Sequence, residues 1–344
     1  MYQAVFPFLK LLDAEVAHHL GMGVLRAVQQ PITKKLASFV TQPDPALRAK
    51  VMGIDFPSPF GVAAGFDKNA EVVSALGALG FGHVEVGTVT PRPQPGNPQP
   101  RLFRLPSDHA LVNRMGFNNG GVEAMKRHLE VLRNGPRPVI GVNIGKNRDT
   151  PLEGAAEDYG ICSRELSGLA DYLVINVSSP NTPGLRALQD PTELLPLINA
   201  VTQHSGNTPV LVKISPDSAD EEIRDIALLA KDQGLAGVVA TNTTVSREGL
   251  SSAQPEISHA GEGGLSGAPL AARSRSVLDI VRTALGDGPA VISVGGVSTG
   301  HDVHERLKAG ANLVQAYTSF VYRGPLLAHH VNKELLAARS QWGL

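Results

Sequence analysis

Short apolar runs along this sequence end repeatedly in amides, hydroxyls, lysines and glycines. The run ends read Ala64-Gly65-Phe66-Asp67-Lys68, Gly87-Thr88, Asn143-Ile144-Gly145-Lys146, Asn176-Val177-Ser178-Ser179, Lys213-Ile214-Ser215, Thr241-Asn242-Thr243, Gly295-Gly296 and Tyr317-Thr318. Polar groups gathered where a core should be are costly unless they bind something. Gly295-Gly296 opens a helix, and Tyr317-Thr318 follows the last run; backbone N–H groups at such a place can hold a phosphate, so a phosphorylated ligand is expected. Lys213 faces inward by pattern. Such a lysine is either paired to a carboxylate or set beside an anionic ring system, and we assign it to cofactor binding because a lone one would lose its charge.

Other chemistries are excluded or disfavoured. The single thiol, Cys162, rules out an internal disulfide, a thiolate zinc cluster or a Cys-held iron–sulfur centre within the chain. It falls on a predicted helix and is read as packing. His18-His19, His301 with His304, and His329-His330 sit on helical stretches without metal-ligand spacing, so all are expected at the surface and no metal is expected. The formal net charge is -1, which gives nucleic acid no global attraction.

The elements that must carry these residues are eight apolar runs: Phe60 to Ala64, His83 to Gly87, Pro138 to Ile144, Tyr172 to Val177, Pro209 to Ile214, Ala236 to Ala240, Ala290 to Val294 and Asn312 to Tyr317. Eight buried runs alternating with helical stretches predict an α/β fold, a (β/α)8 TIM barrel whose active site lies at the C-terminal strand ends. Two long intervals, 83 to 138 and 236 to 290, must hold insertions. An open doubly wound sheet would carry G-x-G-x-x-G after an early strand, and none occurs there.

Before the barrel, Val5, Leu9, Leu12, Val16 and Leu20 recur at helical spacing. After Gly21-Met22-Gly23 a second pattern carries Val24, Leu25, Val28, Leu36, Phe39 and Val40, predicting an amphipathic helical hairpin that turns at those glycines. Residues 1–45 are assigned to this extension and 46–344 to the barrel. The hairpin is either a cap on the barrel or a membrane-docking element. Phe6, Phe8 and Met22, with local excess of Lys10, Arg26, Lys34 and Lys35 over Asp13 and Glu15, tilt towards docking on an anionic lipid surface. No apolar run reaches 18 residues, so no membrane span is expected.

The stretch Asn176 to Arg186 (NVSSPNTPGLR), with Ala64 to Asn69 (AGFDKN), Asn113 to Asn119 (NRMGFNN) and Gly263 to Gly267 (GGLSG), closely resembles the membrane-associated, quinone-using class of dihydroorotate dehydrogenases. The resemblance runs through nearly the whole chain. It implies an FMN enzyme that oxidises (S)-dihydroorotate to orotate in pyrimidine biosynthesis and passes electrons to ubiquinone or a related quinone. Ser179 matches the family's catalytic base, where the soluble class carries Cys; Thr182 and Phe117 are the expected support for its proton relay. Lys68, Asn113, Arg114, Met115, Gly116, Phe117, Asn176, Asn181, Asn242 and Thr243 are implied to hold the substrate. Ala64, Gly65, Lys68, Thr88, Asn143, Asn176, Lys213, Thr241, Gly267, Gly296, Tyr317 and Thr318 are implied to hold FMN. Arg104 is expected near the substrate and the way in for quinone. The hairpin would then give a lipid-dissolved quinone its path, on a peripheral, monomeric protein at the cytoplasmic side of a bacterial inner membrane. Another FMN barrel oxidoreductase and a non-enzymatic membrane-surface binding protein are the rival readings; neither needs the Asn176 to Arg186 run.

Overall fold

A computed structural model of the chain describes residues 2, 6–7, 10–133 and 135–342. Its strands, in chain order, are β1 (Ala49–Val51), β2 (Ile54–Phe56), β3 (Phe60–Val62), β4 (His83–Val89), β5 (Leu102–Leu105), β6 (Ala110–Asn113), β7 (Val139–Ile144), β8 (Tyr172–Asn176), β9 (Val210–Ile214), β10 (Gly237–Ala240), β11 (Gly264–Gly267), β12 (Ala290–Val294) and β13 (Leu313–Ala316). Eight of them close a parallel barrel in the order β3-β4-β7-β8-β9-β10-β12-β13. These are the eight predicted runs. Each barrel strand is buried along its whole length, as a sheet covered on both faces demands.

Glycine makes room at the barrel floor. A Cβ on Gly141 would fall 2.1 Å from the Tyr172 ring, and one on Gly61 would fall 2.4 Å from the His83 ring. The antiparallel hairpin β1-β2 closes this end, with Phe56 edge-on to His83 at a centroid distance of 5.5 Å.

The two insertions meet. β5 and β6 come from the first and β11 from the second, and they form one antiparallel sheet ordered β11-β6-β5, with Asn113 opposite Gly264 and Ala110 opposite Gly267.

The amino-terminal hairpin is present, but its turn is not at the glycines. The first helix is Ala14–Val28, capped by Asp13, whose carboxylate accepts from Glu15 N and Val16 N; Gly21 and Gly23 lie inside it. The chain breaks at Gln29-Gln30, where Pro31 starts the second helix, Pro31–Thr41. Two helical glycines cost about 1 kcal/mol each, which packing outweighs, whereas proline at a first helical position fixes a boundary. Val5, Phe8 and Leu9 lie outside the described residues. Phe6 and Met22 are buried against the rest of the protein, so they cap the barrel and do not face outward. Leu12, Val16, Leu20, Val24, Leu36, Phe39 and Val40 are exposed. Among the described residues no helix is long and apolar enough to cross a membrane.

Candidate active site

A cavity of about 380 Å³ opens at the C-terminal ends of the barrel strands, beneath the insertion sheet. Of the residues singled out by sequence, Ala64, Gly65, Lys68, Thr88, Asn113, Met115, Gly116, Phe117, Asn176, Ser179, Asn181, Lys213, Thr241, Asn242, Thr243, Gly267, Gly296, Tyr317 and Thr318 line it. Asn143 and Arg114 do not. Asn143 lies wholly buried one layer down, where its amide oxygen accepts from Thr88 Oγ1 and from Asn176 Nδ2 at 2.9 Å. Arg114 points away: Nη1 donates to the Ala260 and Glu262 carbonyls, and the guanidinium stacks 4.4 Å from the Phe103 ring centroid. A residue beside Asn113 on an extended segment faces the other side by strand alternation.

Four asparagines line the cavity in two hydrogen-bonded pairs. Asn242 Nδ2 donates to Asn176 Oδ1 at 3.3 Å and to Ser178 Oγ at 3.0 Å, and Asn181 Nδ2 donates to Asn113 Oδ1 at 3.1 Å. Each amide carries two donors and an acceptor, so a planar ring bearing both kinds of group would meet its complement here. Ser179 stands among them on the loop after β8, its Oγ accepting from Asn181 N at 3.3 Å. Arg186 tethers that loop: it donates to Ser178 O and Thr243 O and forms an ion pair with Asp217 at 2.9 Å. Thr182 is buried in the same loop and does not line the cavity. The insertion sheet presses close, since a Cβ on Gly264 would fall 2.0 Å from Thr243 Oγ1.

Lys68 projects from the loop after β3. That loop is built around the buried Asp67 carboxylate, which accepts from the N–H groups of Asn69, Glu71 and Val72. Burial lowers the Lys68 ammonium to about 8 against the pull of Glu15. Lys213, on β9, lines the cavity and also reaches the buried Glu85 of β4 at 3.4 Å.

At the other end of the cavity Gly295, Gly296, Val297 and Ser298 follow β12, and Tyr317, Thr318 and Ser319 follow β13. Gly295 and Gly296 have φ of 121° and 71°, a conformation side chains resist, and a Cβ on Gly296 would strike the Ala271 backbone. The buried Ser319 hydroxyl has no hydrogen-bond partner among the described residues. Such a group, beside backbone-lined walls, fits an oxygen-rich ligand end such as a phosphate.

Several residues of this region escaped the sequence reading. His18, expected at the surface, stacks edge-on to the cavity-adjacent Phe66 at 5.3 Å, and burial lowers its pKa to about 3. His304 is buried rather than exposed. Glu15 and Arg101, both buried, form an ion pair at 2.8 Å that joins the first helix to the first insertion. Arg104 donates to Leu12 O and so also touches the hairpin, outside the main cavity. Cys162 is buried in helix Ala155–Leu166, and burial pushes its thiol far up, so it is inert packing as expected.

Comparison with known proteins gives one consistent result. The family model described as dihydroorotate dehydrogenase matches residues 46–338. A protein of Leifsonia xyli subsp. xyli named dihydroorotate dehydrogenase (quinone) is 55% identical over 343 residues, covering 99% of this chain and 100% of that relative. The protein of the same name from Clavibacter michiganensis subsp. michiganensis is 53% identical over 341 residues, covering 98% and 99%. Among solved structures, that of DHODH from Eimeria tenella in complex with ferulenol superposes with a TM-score of 0.89 at 40% identity, covering 96% of this chain and 93% of that one. With the barrel, the cavity and the sequence match in agreement, the chain belongs to the dihydroorotate dehydrogenase family and is an oxidoreductase of pyrimidine biosynthesis.

Proposed function

We propose that this enzyme oxidises (S)-dihydroorotate to orotate with FMN as the immediate acceptor and a membrane quinone as the final one. The observation that carries the reading is the placement of Ser179 among Asn113, Asn176, Asn181 and Asn242 in the cavity that Lys213 and Gly296 also line. The donor set fits the cofactor: Lys213, Thr88, Asn176 and Thr241 would hold a polar ring edge, and Gly296, Thr318 and the Ser319 hydroxyl, which has no partner among the described residues, would hold a phosphate. When bound, FMN supplies a two-electron acceptor that can later be reoxidised by quinone.

The chain's own residues account for the rest. Ser179 takes the C5 proton of the substrate as general base. A serine hydroxyl is weak in that role, so its proton needs an onward route, and the buried Thr182 three residues along the loop is the candidate. Asn113, Asn176, Asn181 and Asn242 orient the pyrimidine ring, Thr243 adds a hydroxyl, and Lys68 balances the carboxylate. The Met115-Gly116-Phe117 wall keeps water from the reacting atoms. Arg114 contributes through the Ala260 to Glu262 segment that it ties down, not by contact.

Residues 1–45 would form the access unit for a lipid-dissolved quinone on a monomer at the cytoplasmic face of a bacterial inner membrane, and the exposed apolar side chains on both hairpin helices support the peripheral docking in this reading. The start of the family match at residue 46 supports that division.

Anaerobic stopped-flow absorbance tests the whole reading. Dihydroorotate should bleach the flavin band, and a short-chain ubiquinone in a second mix should restore it. A flavin that dihydroorotate leaves oxidised would overturn the substrate assignment.

A further inference from the structure

Arg306 is a buried cation without a carboxylate. It lies on helix Gly300–Lys308 and is 2% exposed. Its guanidinium gives its hydrogen bonds to neutral acceptors: Nη1 to Ser274 Oγ at 2.7 Å and Ser293 Oγ at 2.9 Å, Nη2 to Gly295 O at 2.9 Å and Ala271 O at 3.1 Å. Among the described residues no Asp or Glu forms an ion pair with it. Asp302 and Asp279 act on it only from a distance, against Arg275, and the Asp302 carboxylate already accepts from Ser298 and Thr299.

A buried unpaired charge is strongly unfavourable, and neutral hydrogen bonds relieve it only in part. What lies across from Arg306 is the wall of the cavity. Gly295, whose carbonyl it holds, lines that wall with Gly296 and Ser298, and Ser319, whose buried hydroxyl has no hydrogen-bond partner among the described residues, lines the same cavity. A buried cation bound behind a glycine turn whose backbone forms the cavity wall favours an anion on the open side of that turn.

We propose that Arg306 is a positioning residue for a phosphate ester, holding the Gly295-Gly296 turn through the Gly295 carbonyl and supplying charge from behind the wall. The inference rests on the FMN reading above and deepens it. Its signature is selectivity: the contribution belongs to the phosphate and not to the ring, which a merely structural role would not separate.

The holoenzyme would be dialysed to equilibrium against mixtures of FMN and riboflavin, which differ only by the phosphate, and the retained flavins released with acid and quantified. Arg306→Gln should lower the retained FMN-to-riboflavin ratio at least tenfold, while Arg306→Lys, which keeps the charge, should stay within threefold of the parent protein. An unchanged ratio in Arg306→Gln, or equal loss of both flavins, overturns the proposal. Where circular dichroism finds Arg306→Gln unfolded, Ser293→Asp sets a carboxylate against the guanidinium instead; a fivefold or larger fall in the ratio is expected there, and an unchanged ratio overturns it. A parent protein that retains neither flavin overturns the FMN reading itself and this inference with it.

Discussion

The Lys213 ammonium stands 3.4 Å from the Glu85 carboxylate inside the barrel, and that carboxylate is shared with the amides of Asn143 at 2.8 Å and Gln315 at 2.9 Å. Lys213 is thus both carboxylate-paired and on the cavity wall, so the pairing does not remove it from the cavity. The positive charge it offers the cofactor is partly compensated from below.

Removing that compensation should be measurable. Glu85→Gln leaves Lys213 unpaired, which favours the electron-rich form of a neighbouring flavin. Its midpoint potential should rise by on the order of 30 mV, the equivalent of about 1.4 kcal/mol for a two-electron couple. Dye-coupled titration of the holoenzyme reads this, and an unchanged potential would mean that the cofactor does not sense the pair. The variant should also lose stability, since breaking a buried pair costs roughly 3–5 kcal/mol.

Ser179→Ala should slow flavin reduction by about 10²–10⁴ in single-turnover experiments, the usual worth of a general base, while orotate still binds. Thr182→Val should slow the same step if the hydroxyl carries the proton onward. Unchanged flavin reduction in Thr182→Val removes the relay.

The lowered Lys68 pKa sets an alkaline limit. Its ammonium is lost as pH rises through about 8, so kcat/KM for dihydroorotate should fall above that value. In Lys68→Met the activity should be low throughout and this limb of the profile absent.

His83 is buried beneath the barrel with neither ring nitrogen partnered among the described residues, and burial lowers its pKa from 6.5 to about 3. The unfolded chain therefore binds a proton that the folded protein refuses between these values. Stability is full above pH 6.5 and falls as the pH drops towards 3, by at most about 1.4 kcal/mol per pH unit from this group. Urea midpoints measured from pH 7 to 5 should show the slope, and His83→Phe should flatten it.

The hairpin calls for a finer probe than deletion. Removing residues 1–40 would also strip Met22 and Leu25 from the core and break the Glu15–Arg101 pair. Charges on the exposed face avoid this: Val24→Glu with Phe39→Glu, the latter residue 87% exposed, should abolish sedimentation with anionic vesicles and cut quinone turnover. Reduction by dihydroorotate should stay intact in solution. Vesicle binding that survives both charges would reject lipid docking by this face.

The barrel was legible because its strands are buried on both sides, so each reads as a plain apolar run that stops where chemistry begins. The same stops located the cavity residues at the strand ends, whereas Asn113, Met115 to Phe117, Asn181 and Gly267 came only from motif resemblance and Leu111, Tyr322 and Arg323 left no signal. Glu85 left a signal too, as the one carboxylate inside an apolar run, facing a strand that carries Lys213. The insertion sheet left none: its strands are four residues each, and their partners are far apart along the chain. Arg114 shows the limit of motif matching, which assigns neighbours alike although alternate side chains face opposite ways. The glycines of the first helix, the half-buried His18 and the buried His304 misled for one reason, that tertiary packing overrides local propensity.

That insertion sheet also dictates when the pocket can be roofed. The Asn113 side chain meets Gly264 across 151 residues, and the two strands pair along four positions. During synthesis the first half of the roof therefore emerges long before its partner, and loop closure of that length precedes any reward from the contact. Ser179 leaves the ribosome without a cover. The catalytic chamber is a late product of folding: its roof waits for β11 and its far end for the turns after β12 and β13, so nascent chains truncated before residue 264 should hold an open set of barrel strands and no working site.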